Sequence, residues 1–144
     1  MTDYIPPALG WVREQVELYE SSGGTEGTTL LDTGMPCIVV THTGNKTGCI
    51  RKIPLMRVEV NGSYVLIGSM GGQPKNPVWV YNLRASSDVQ IRDKTEVFDM
   101  CAREITDERE RATLWAASVA AYCEYNQYQA KTTRKIPVFL AEPR

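Results

Sequence analysis

The segment Thr43–Arg51 has residue types suited to binding an anion. Its glycines allow backbone N–H groups to converge on one point, Lys46 adds a positive charge, Thr47 adds a hydroxyl, and Arg51 can bind a phosphate through two parallel hydrogen bonds. The spacing is not that of a Walker loop, because Gly44 lies only two residues before Lys46. The segment therefore predicts an anion-binding turn between two strands, with an ordinary basic hairpin turn as the alternative.

A second segment, Gly68–Pro77, combines paired glycines with the expected start of a helix. Gly71 and Gly72 allow bare backbone to approach a ligand. Asn76 followed by Pro77 is typical of a helix N-terminus, which attracts anions. A flexible connection between a strand and a helix is the alternative interpretation.

Three tyrosines near the end of the chain could line a substrate pocket. Tyr122, Tyr125 and Tyr128 are spaced by three residues and follow Trp115 by one to two helical turns. Side chains at this spacing lie on roughly one side of a helix or helical turn. Each phenol needs a hydrogen-bond partner or water, and near neutral pH each is a weak proton donor. The pattern predicts either a wall for a flat aromatic substrate or ordinary packing.

Positive charge is concentrated in the middle of the chain. The 144 residues carry a formal net charge of −1, yet the stretch Thr33–Ser87 has a single acid, Glu59. Its six basic residues are Lys46, Arg51, Lys52, Arg57, Lys75 and Arg84. This stretch therefore carries +5 and the rest of the chain −6, which indicates a partner with several negative charges. A solvated basic face is the alternative. No RNA-recognition, zinc-finger or helix-turn-helix pattern accompanies the charges, so a small anionic ligand is favoured over nucleic acid.

Length and composition exclude several classes of protein. The length suits one domain, expected over residues 1–144. A single histidine, His42, argues against a histidine-based metal site or a serine triad, and no metal is expected. No apolar run approaches the ~20 residues that span a bilayer, and the first residues lack signal-peptide character. The cysteines have neither metal-site nor redox spacing, so we expect free thiols and a cytoplasmic protein. They are Cys37, Cys49, Cys101 and Cys123.

Hydrophobic periodicity predicts an α+β fold, a small barrel flanked by helices. An apolar stripe from Ile5 to Tyr19 predicts an amphipathic helix over residues 1–22, whose apolar face packs on the core or contacts a membrane surface. The barrel and its helices follow over residues 25–144. The predicted strands are Cys37–Thr41, Ile53–Val60, Tyr64–Gly68, Val89–Arg92, Glu96–Glu104 and Ile136–Ala141. Asn61-Gly62 predicts a hairpin turn, and further helices are expected from Asn76-Pro77 through Leu83 and from Thr106 to about Tyr122.

Taken in order, these segments resemble the deazaflavin-dependent nitroreductase family over nearly the whole chain. The matching segments are Val16–Gly24, Thr43–Gly48 with Arg51 and Pro54-Leu55, Gly71–Pro77 with Trp79 and Asn82-Leu83, and Tyr122–Gln129 with Ile136–Val138. The sequence departs from the family at Met70, Val80, Ser86-Ser87 and Cys123-Glu124. The last departure lies among the tyrosines and leaves the identity of the substrate open.

The resemblance implies a split β-barrel of the FMN-binding type that uses coenzyme F420, whose phosphodiester and oligoglutamate tail are anionic. The cofactor-binding residues it implies are Asn45, Lys46, Thr47, Gly48, Arg51, Pro54, Leu55, Met56, Ile67, Gly68, Ser69, Met70, Gly71, Asn76 and Tyr125. The substrate-binding residues it implies are Trp79, Tyr122, Tyr125 and Tyr128.

The implied reaction is hydride transfer from the reduced coenzyme to an electron-poor, hydrophobic small molecule. The acceptor would be an activated alkene of an enone, a quinone or a coumarin- or aflatoxin-like lactone, and some relatives reduce nitro compounds. The proton would come from Tyr125, Ser69 or solvent. A split barrel that binds FMN or haem, as an oxidase or cofactor carrier, is the alternative. The sequence leaves open a monomer or a homodimer, and peripheral membrane association through the N-terminal helix.

Overall fold

The computed structural model describes residues 3–30 and 33–144, which form four α-helices and seven β-strands. The helices are α1 (Gly10–Ser21), α2 (Val78–Ala85), α3 (Glu108–Ala121) and α4 (Glu124–Ala130). The strands are β1 (Cys37–Thr43), β2 (Ile50–Met56), β3 (Glu59–Val60), β4 (Ser63–Ile67), β5 (Asp88–Asp93), β6 (Glu96–Glu104) and β7 (Val138–Pro143). None of these helices is long and apolar enough to cross a membrane.

All seven strands belong to one antiparallel sheet in the order β2-β1-β5-β6-β7-β4-β3. The sheet curls, because β2 at one edge continues through Arg57 and Val58 directly into β3 at the other edge. The Val58 carbonyl there accepts a hydrogen bond from Val65 N–H of β4 (2.9 Å). The α+β split β-barrel expected from the sequence is confirmed.

The curled sheet is buried on both faces along β4. Successive residues of a strand point to opposite faces, so Leu66 packs with Trp79 of α2 in one core. Val65 and Ile67 belong instead to a second core, which includes Tyr125 of α4. This alternation holds α2 and α4 on the two sides of one strand end, where the expected site residues lie.

The sequence located the hairpins well but merged two strands. Asn61 (φ 51°) and Gly62 (φ 85°) both have left-handed backbone, as a tight hairpin turn requires, so that prediction is confirmed. The single strand expected over Ile53–Val60 is wrong. The chain pairs from Ile50 as β2, leaves the ladder at Arg57 and Val58, and pairs again as β3.

The start of the N-terminal helix was also predicted wrongly. Ile5 belonged to the apolar stripe, but its N–H donates to the Ile50 carbonyl (2.9 Å) and Ile50 N–H donates to the Asp3 carbonyl (2.7 Å), so this segment pairs with β2. Pro6 and Pro7 follow, and the helix begins only at Gly10. Met1 and Thr2, which the expected helix over residues 1–22 included, lie outside the described residues.

Candidate active site

The larger candidate site is a mostly apolar, open cavity of about 460 Å³ between β2, the end of β4 and α4. Most of the residues predicted to border a ring-shaped ligand line it together. They are Pro54, Leu55, Met56, Ile67, Ser69, Met70, Gly71, Trp79, Tyr122, Tyr125 and Tyr128. Trp11 and Val12 of α1 also line it, so this helix forms a cavity wall, which the apolar stripe did not reveal.

A smaller cavity of about 180 Å³ adjoins the first and leads toward positive charge. The two share four lining residues, Ile53, Met70, Pro77 and Trp79. The smaller one is also lined by His42, Arg51, Lys52 and Asn82. Arg51 thus lies at the same site as the aromatic residues, at the end of the β1–β2 hairpin.

The β1–β2 turn offers an anion its side chains more than its backbone. Gly44 N–H donates to the Cys49 carbonyl (2.8 Å) and Gly48 N–H donates to the Gly44 carbonyl (2.9 Å). The prediction that these glycines direct their N–H groups at an external ligand is therefore wrong for both. Within the described chain, the side chains of Lys46 and Arg51 form no ion pair, and both remain available.

A buried amide and imidazole support this turn from behind. The Asn82 side-chain oxygen accepts a hydrogen bond from Asn45 N–H (2.9 Å), so its amide nitrogen faces His42 Nδ1 (3.2 Å) and must donate to it. Nδ1 of His42 is then unprotonated. Burial, with the nearby Arg51 charge, lowers the pKa of His42 to about 4. The sequence suggested only the roles of metal ligand or base for His42, and it gave no sign of this supporting role.

Half of the basic residues in the +5 stretch are neutralised by acids outside it. Lys52 pairs with Glu20 (2.5 Å), and Arg57 pairs with Asp93 (2.8 Å). Arg84 pairs with Glu104 (2.8 Å). Among the described residues, Lys46, Arg51 and Lys75 are the members of the stretch without an ion pair. The positive charge available to a ligand is therefore concentrated at the β1–β2 hairpin end and the loop before α2.

The loop from Gly68 to Pro77 is held in place by Arg134, which sequence reasoning missed. Its guanidinium donates to the carbonyls of Gly68 (3.1 Å), Ser69 (2.7 Å) and Gln73 (2.9 Å). It also donates to the side-chain oxygen of Asn76 (2.8 Å). Pro77 rather than Asn76 occupies the helix N-cap, so the predicted capping role of Asn76 is wrong. No local pattern marks an arginine that acts across such a sequence separation.

Backbone conformation and close packing explain the glycines of this loop. Met70 (φ 47°), Gly71 (φ 64°) and Gly72 (φ 82°) form a left-handed run. A Cβ at Gly72 would lie 2.8 Å from the Tyr128 carbonyl, so the loop can approach α4 this closely only with glycine there. Met70 adopts the same strained region with a half-exposed side chain that lines both cavities.

The remaining predicted site residues lie beside the cavity rather than in its wall. Asn45, Lys46, Thr47 and Gly48 form the β1–β2 turn. Gly68 is buried behind the wall, where a Cβ would lie 2.8 Å from Val80 Cγ2. Asn76 belongs to the loop before α2 but lines neither cavity, and its side-chain oxygen accepts a hydrogen bond from Arg134 (2.8 Å).

The three tyrosines pack edge to face around the cavity. Tyr122 ends α3, Tyr125 and Tyr128 belong to α4, and the rings of Tyr122 and Tyr125 have centroids 5.2 Å apart. The hydroxyls of Tyr125 and Ser69 have no hydrogen-bond partner among the described residues and open on the cavity. Burial raises the pKa of Tyr125, so it stays a phenol at neutral pH. Both groups could donate a proton to a bound molecule.

An apolar cavity that leads to unpaired cations fits a ligand with a flat ring system and an anionic tail. The apolar wall can cover the ring, while Lys46 and Arg51 can bind charged oxygens. This donor set agrees with the deazaflavin cofactor that the resemblance implied. The described residues contain no group of three or more metal-ligating side chains.

Comparisons with known proteins agree with the family that the sequence resembles. The family model for F420H(2)-dependent quinone reductase matches residues 11–143. The chain is 30% identical over 130 residues to the F420H(2)-dependent quinone reductase Rv1261c of Mycobacterium tuberculosis, covering 88% of this chain and 86% of that protein. A solved structure of an F420-H2 dependent reductase, FDR-A, is 46% identical with a TM-score of 0.70, over 74% of this chain and 94% of that one. A second solved structure, whose description says only that it is a domain-swapped dimer, is 45% identical with a TM-score of 0.73, over 92% of this chain and 98% of that one.

Proposed function

The chain belongs to the F420H(2)-dependent quinone reductase family, an oxidoreductase family that takes hydride from reduced coenzyme F420, and on this premise we propose its acceptors and the roles of its residues. The proposed acceptors are uncharged, flat and electron-poor. Quinones come first, then enones, coumarin- or aflatoxin-like lactones and nitroaromatics. The observation that carries the proposal is the apolar, tyrosine-walled cavity that adjoins a smaller one lined by the unpaired Arg51, with the unpaired Lys46 in the neighbouring β1–β2 turn.

In this proposal the hairpin end holds the anionic part of the coenzyme. Lys46 and Arg51 bind phosphate or carboxylate oxygens, and the Thr47 hydroxyl adds a hydrogen bond, with Asn45 and Gly48 shaping the turn. The ring lies in the apolar cavity against Pro54, Leu55, Met56, Ile67, Ser69, Met70, Gly71 and Tyr125. Gly68 and Asn76 act from behind that wall, through close packing and through Arg134.

The protein's remaining work is to position the acceptor and to provide a proton. The bound coenzyme supplies the hydride, so the chain contributes orientation and exclusion of water. A quinone that gains a hydride becomes a hydroquinone anion, and one proton completes the product. Tyr125 and Ser69 are the candidate donors from the protein, with solvent as the third source, because both hydroxyls face the cavity. Trp79, Tyr122 and Tyr128 form the acceptor-facing wall.

The first experiment is a parallel titration with oxidised coenzyme F420 and with FMN, followed by fluorescence at two salt concentrations. Tight binding of the deazaflavin, weakened by salt and with little response to FMN, is expected if the hairpin end binds an anionic tail. Preference for FMN would discard the residue assignment and retain only the barrel. A steady-state screen of quinones, enones, coumarins and nitroaromatics with the reduced coenzyme then ranks the acceptors.

We propose further that the protein forms a homodimer, because a 45% identical chain covering 92% of it is described as a domain-swapped dimer. Sedimentation equilibrium across a range of protein concentrations tests this. A monomer mass at all concentrations would contradict it. Cytoplasmic location and peripheral membrane contact through α1 stay predictions of the sequence.

A further inference from the structure

The hydroxyls of two cavity tyrosines meet the carboxylate of Glu124. Tyr122 Oη lies 2.5 Å from Glu124 Oε2, and Tyr128 Oη lies 3.1 Å from the same oxygen. The two hydroxyls are 3.0 Å apart. Tyr122 and Tyr128 both line the larger cavity, so the carboxylate lies beside its wall, on the exposed side. The three oxygens form a closed triangle of hydrogen-bonding contacts.

This triangle uses both phenolic protons. Each tyrosine hydroxyl has one proton to donate, and an ionised carboxylate has none. The hydrogen bonds from Tyr122 and Tyr128 lower the pKa of Glu124, so it is ionised at neutral pH. Both phenols therefore donate within the triangle, and only their lone pairs remain for a molecule in the cavity.

The charge pattern at this rim differs from that in the rest of the site. The ammonium of Lys131 lies over the ring of Tyr128, with Nζ 5.6 Å from the ring centroid. The cations without an ion pair in the described chain lie instead at the hairpin end, where Arg51 lines the smaller cavity and Lys46 lies in the adjacent turn. An acceptor that enters past Tyr122 and Tyr128 thus meets a carboxylate and two engaged hydroxyls, with the Lys131 ammonium against the Tyr128 ring beside them. The hydroxyls without a partner among the described residues belong to Tyr125 and Ser69.

We propose that Glu124 is a specificity-determining residue of the acceptor cavity: its carboxylate selects uncharged acceptors against anionic ones. The inference rests on the proposed function, since it concerns the quinone class named there. It adds that sulfonated or carboxylated quinones are disfavoured by repulsion and by the lack of free donors at the rim. The cofactor's anionic tail escapes this repulsion because it lies at the hairpin end.

The test compares a naphthoquinone with its ring-sulfonated analogue in wild type, Glu124→Gln and Glu96→Gln. Glutamine keeps the size and hydrogen-bonding capacity of Glu124 while removing the charge. Glu96 is an exposed acid of β6 outside the lining of the larger cavity, so its variant changes the net charge equally. The measured quantity is the ratio of kcat/KM for the two quinones with the reduced coenzyme. Their difference in reduction potential is the same for all three proteins and cancels.

We expect Glu124→Gln to reduce the preference for the uncharged quinone about five- to tenfold, and Glu96→Gln to leave it unchanged. The wild-type preference should also shrink as ionic strength rises, because the carboxylate is exposed. An unchanged ratio in Glu124→Gln overturns the proposal. Equal changes in both variants also overturn it, since they would indicate a net-charge effect.

A binding measurement separates this proposal from the function on which it rests. Trp11 and Trp79 line the cavity, so quenching of their fluorescence gives Kd for both quinones in the complex with oxidised coenzyme. If both quinones bind and neither is reduced, the proposed function fails, while the ratio of Kd values still decides the role of Glu124. If neither quinone binds to the wild type, both proposals are overturned.

Discussion

The two ends of the site differ in how their polar groups are engaged. At the hairpin end, Lys46 and Arg51 have no ion pair in the described structure, and their surroundings support the backbone rather than the charges. In the aromatic cavity, Tyr122 and Tyr128 are hydrogen-bonded to Glu124, and among the described lining residues the hydroxyls of Tyr125 and Ser69 have no partner. If the proposed function holds, charge therefore governs binding at one end, whereas selection at the other depends on which hydroxyls already have partners.

The hydrogen bonds of His42 and Asn82 that hold the hairpin end should be lost at acidic pH. The pKa of His42 is lowered from 6.5 to about 4, so between these values the unfolded chain binds a proton that the folded protein does not. The contribution of His42 to the free energy of unfolding is therefore fully present above pH 6.5. It falls by about 3 kcal/mol as the pH falls toward 4. Protonated Nδ1 would also face the Asn82 amide donor and disturb its hold on Asn45.

The measurement is denaturant unfolding from about pH 7 to about pH 4, in wild type and in His42→Gln, which cannot titrate. Carboxylates contribute equally to both proteins, so the difference between the two curves isolates His42. We expect the wild type to lose about 3 kcal/mol more than the variant. Parallel curves would show that His42 titrates normally in the folded protein.

Removing a positive charge from the hairpin end should weaken binding of the cofactor and leave the KM for the acceptor unchanged. Lys46→Ala and Arg51→Ala should each weaken binding of oxidised coenzyme F420 by roughly 1.5–3 kcal/mol for a lost charged hydrogen bond, roughly ten- to hundredfold in Kd. Arg109→Ala, which removes an exposed charge from α3, is the control. At saturating coenzyme the KM for an uncharged quinone should not change. Unaltered Kd values in both variants would contradict the assignment of this end.

The hairpin end was predictable from sequence because its chemistry is local. Lys46, Thr47 and Arg51 lie within six residues, and strand pairing of His42 with Arg51 brings the hairpin stems together. The tyrosines were predictable for the same reason, since their spacing of three needs only a helical turn. The overall charge of the stretch was less informative, because Lys52, Arg57 and Arg84 are paired with distant acids.

The contacts that were not predicted join residues far apart in the chain. Arg134 reaches Gly68 and Ser69 only because α4 packs against the turn that follows β4, and Asn82 reaches Asn45 only because α2 packs on β1. The interruption between β2 and β3 at Arg57 and Val58 was not predictable either, because neither residue is a glycine or a proline. It arises where the sheet curls from one edge to the other. Pro6 and Pro7 were different: they stood in the sequence inside the helix expected over residues 1–22, where proline is disfavoured.

Arg134 connects the two ends, so its substitution should affect both. Arg134→Lys keeps the charge, but one ammonium group cannot reach three carbonyls and Asn76 together. We expect a loss of about 1–2 kcal/mol of stability, with the coenzyme Kd and the acceptor KM both rising because the loop lines both cavities. Arg103→Lys is the control, since Arg103 forms exposed ion pairs with Glu110 and Glu142, which contribute little to stability. A rise in only one of the two constants would place the loop at a single end.

The smallest effect on stability is expected from Tyr125, the most buried tyrosine of the larger cavity. Tyr19 of α1, which does not line that cavity, is the comparison. Tyr19→Phe should cost about 1–3 kcal/mol, because the buried Tyr19 hydroxyl donates to the Cys37 carbonyl (3.0 Å) and accepts from Lys94 N–H (2.6 Å). Tyr125→Phe should stay within about 0.5 kcal/mol, because that hydroxyl has no partner in the described chain.

The effects on kcat should follow the opposite order, with the larger effect from Tyr125→Phe. Tyr125→Phe is expected to lower kcat for an uncharged quinone with little change in coenzyme Kd, and Tyr19→Phe should leave kcat unchanged. Ser69→Ala measured beside them shows whether the second free hydroxyl shares the role. A hydroxyl that contributes nothing to stability and something to turnover faces the acceptor. Equal stability costs for the two tyrosines would instead show that the Tyr125 hydroxyl is hydrogen-bonded in the folded protein, and the contrast between engaged and free hydroxyls in the cavity would no longer hold.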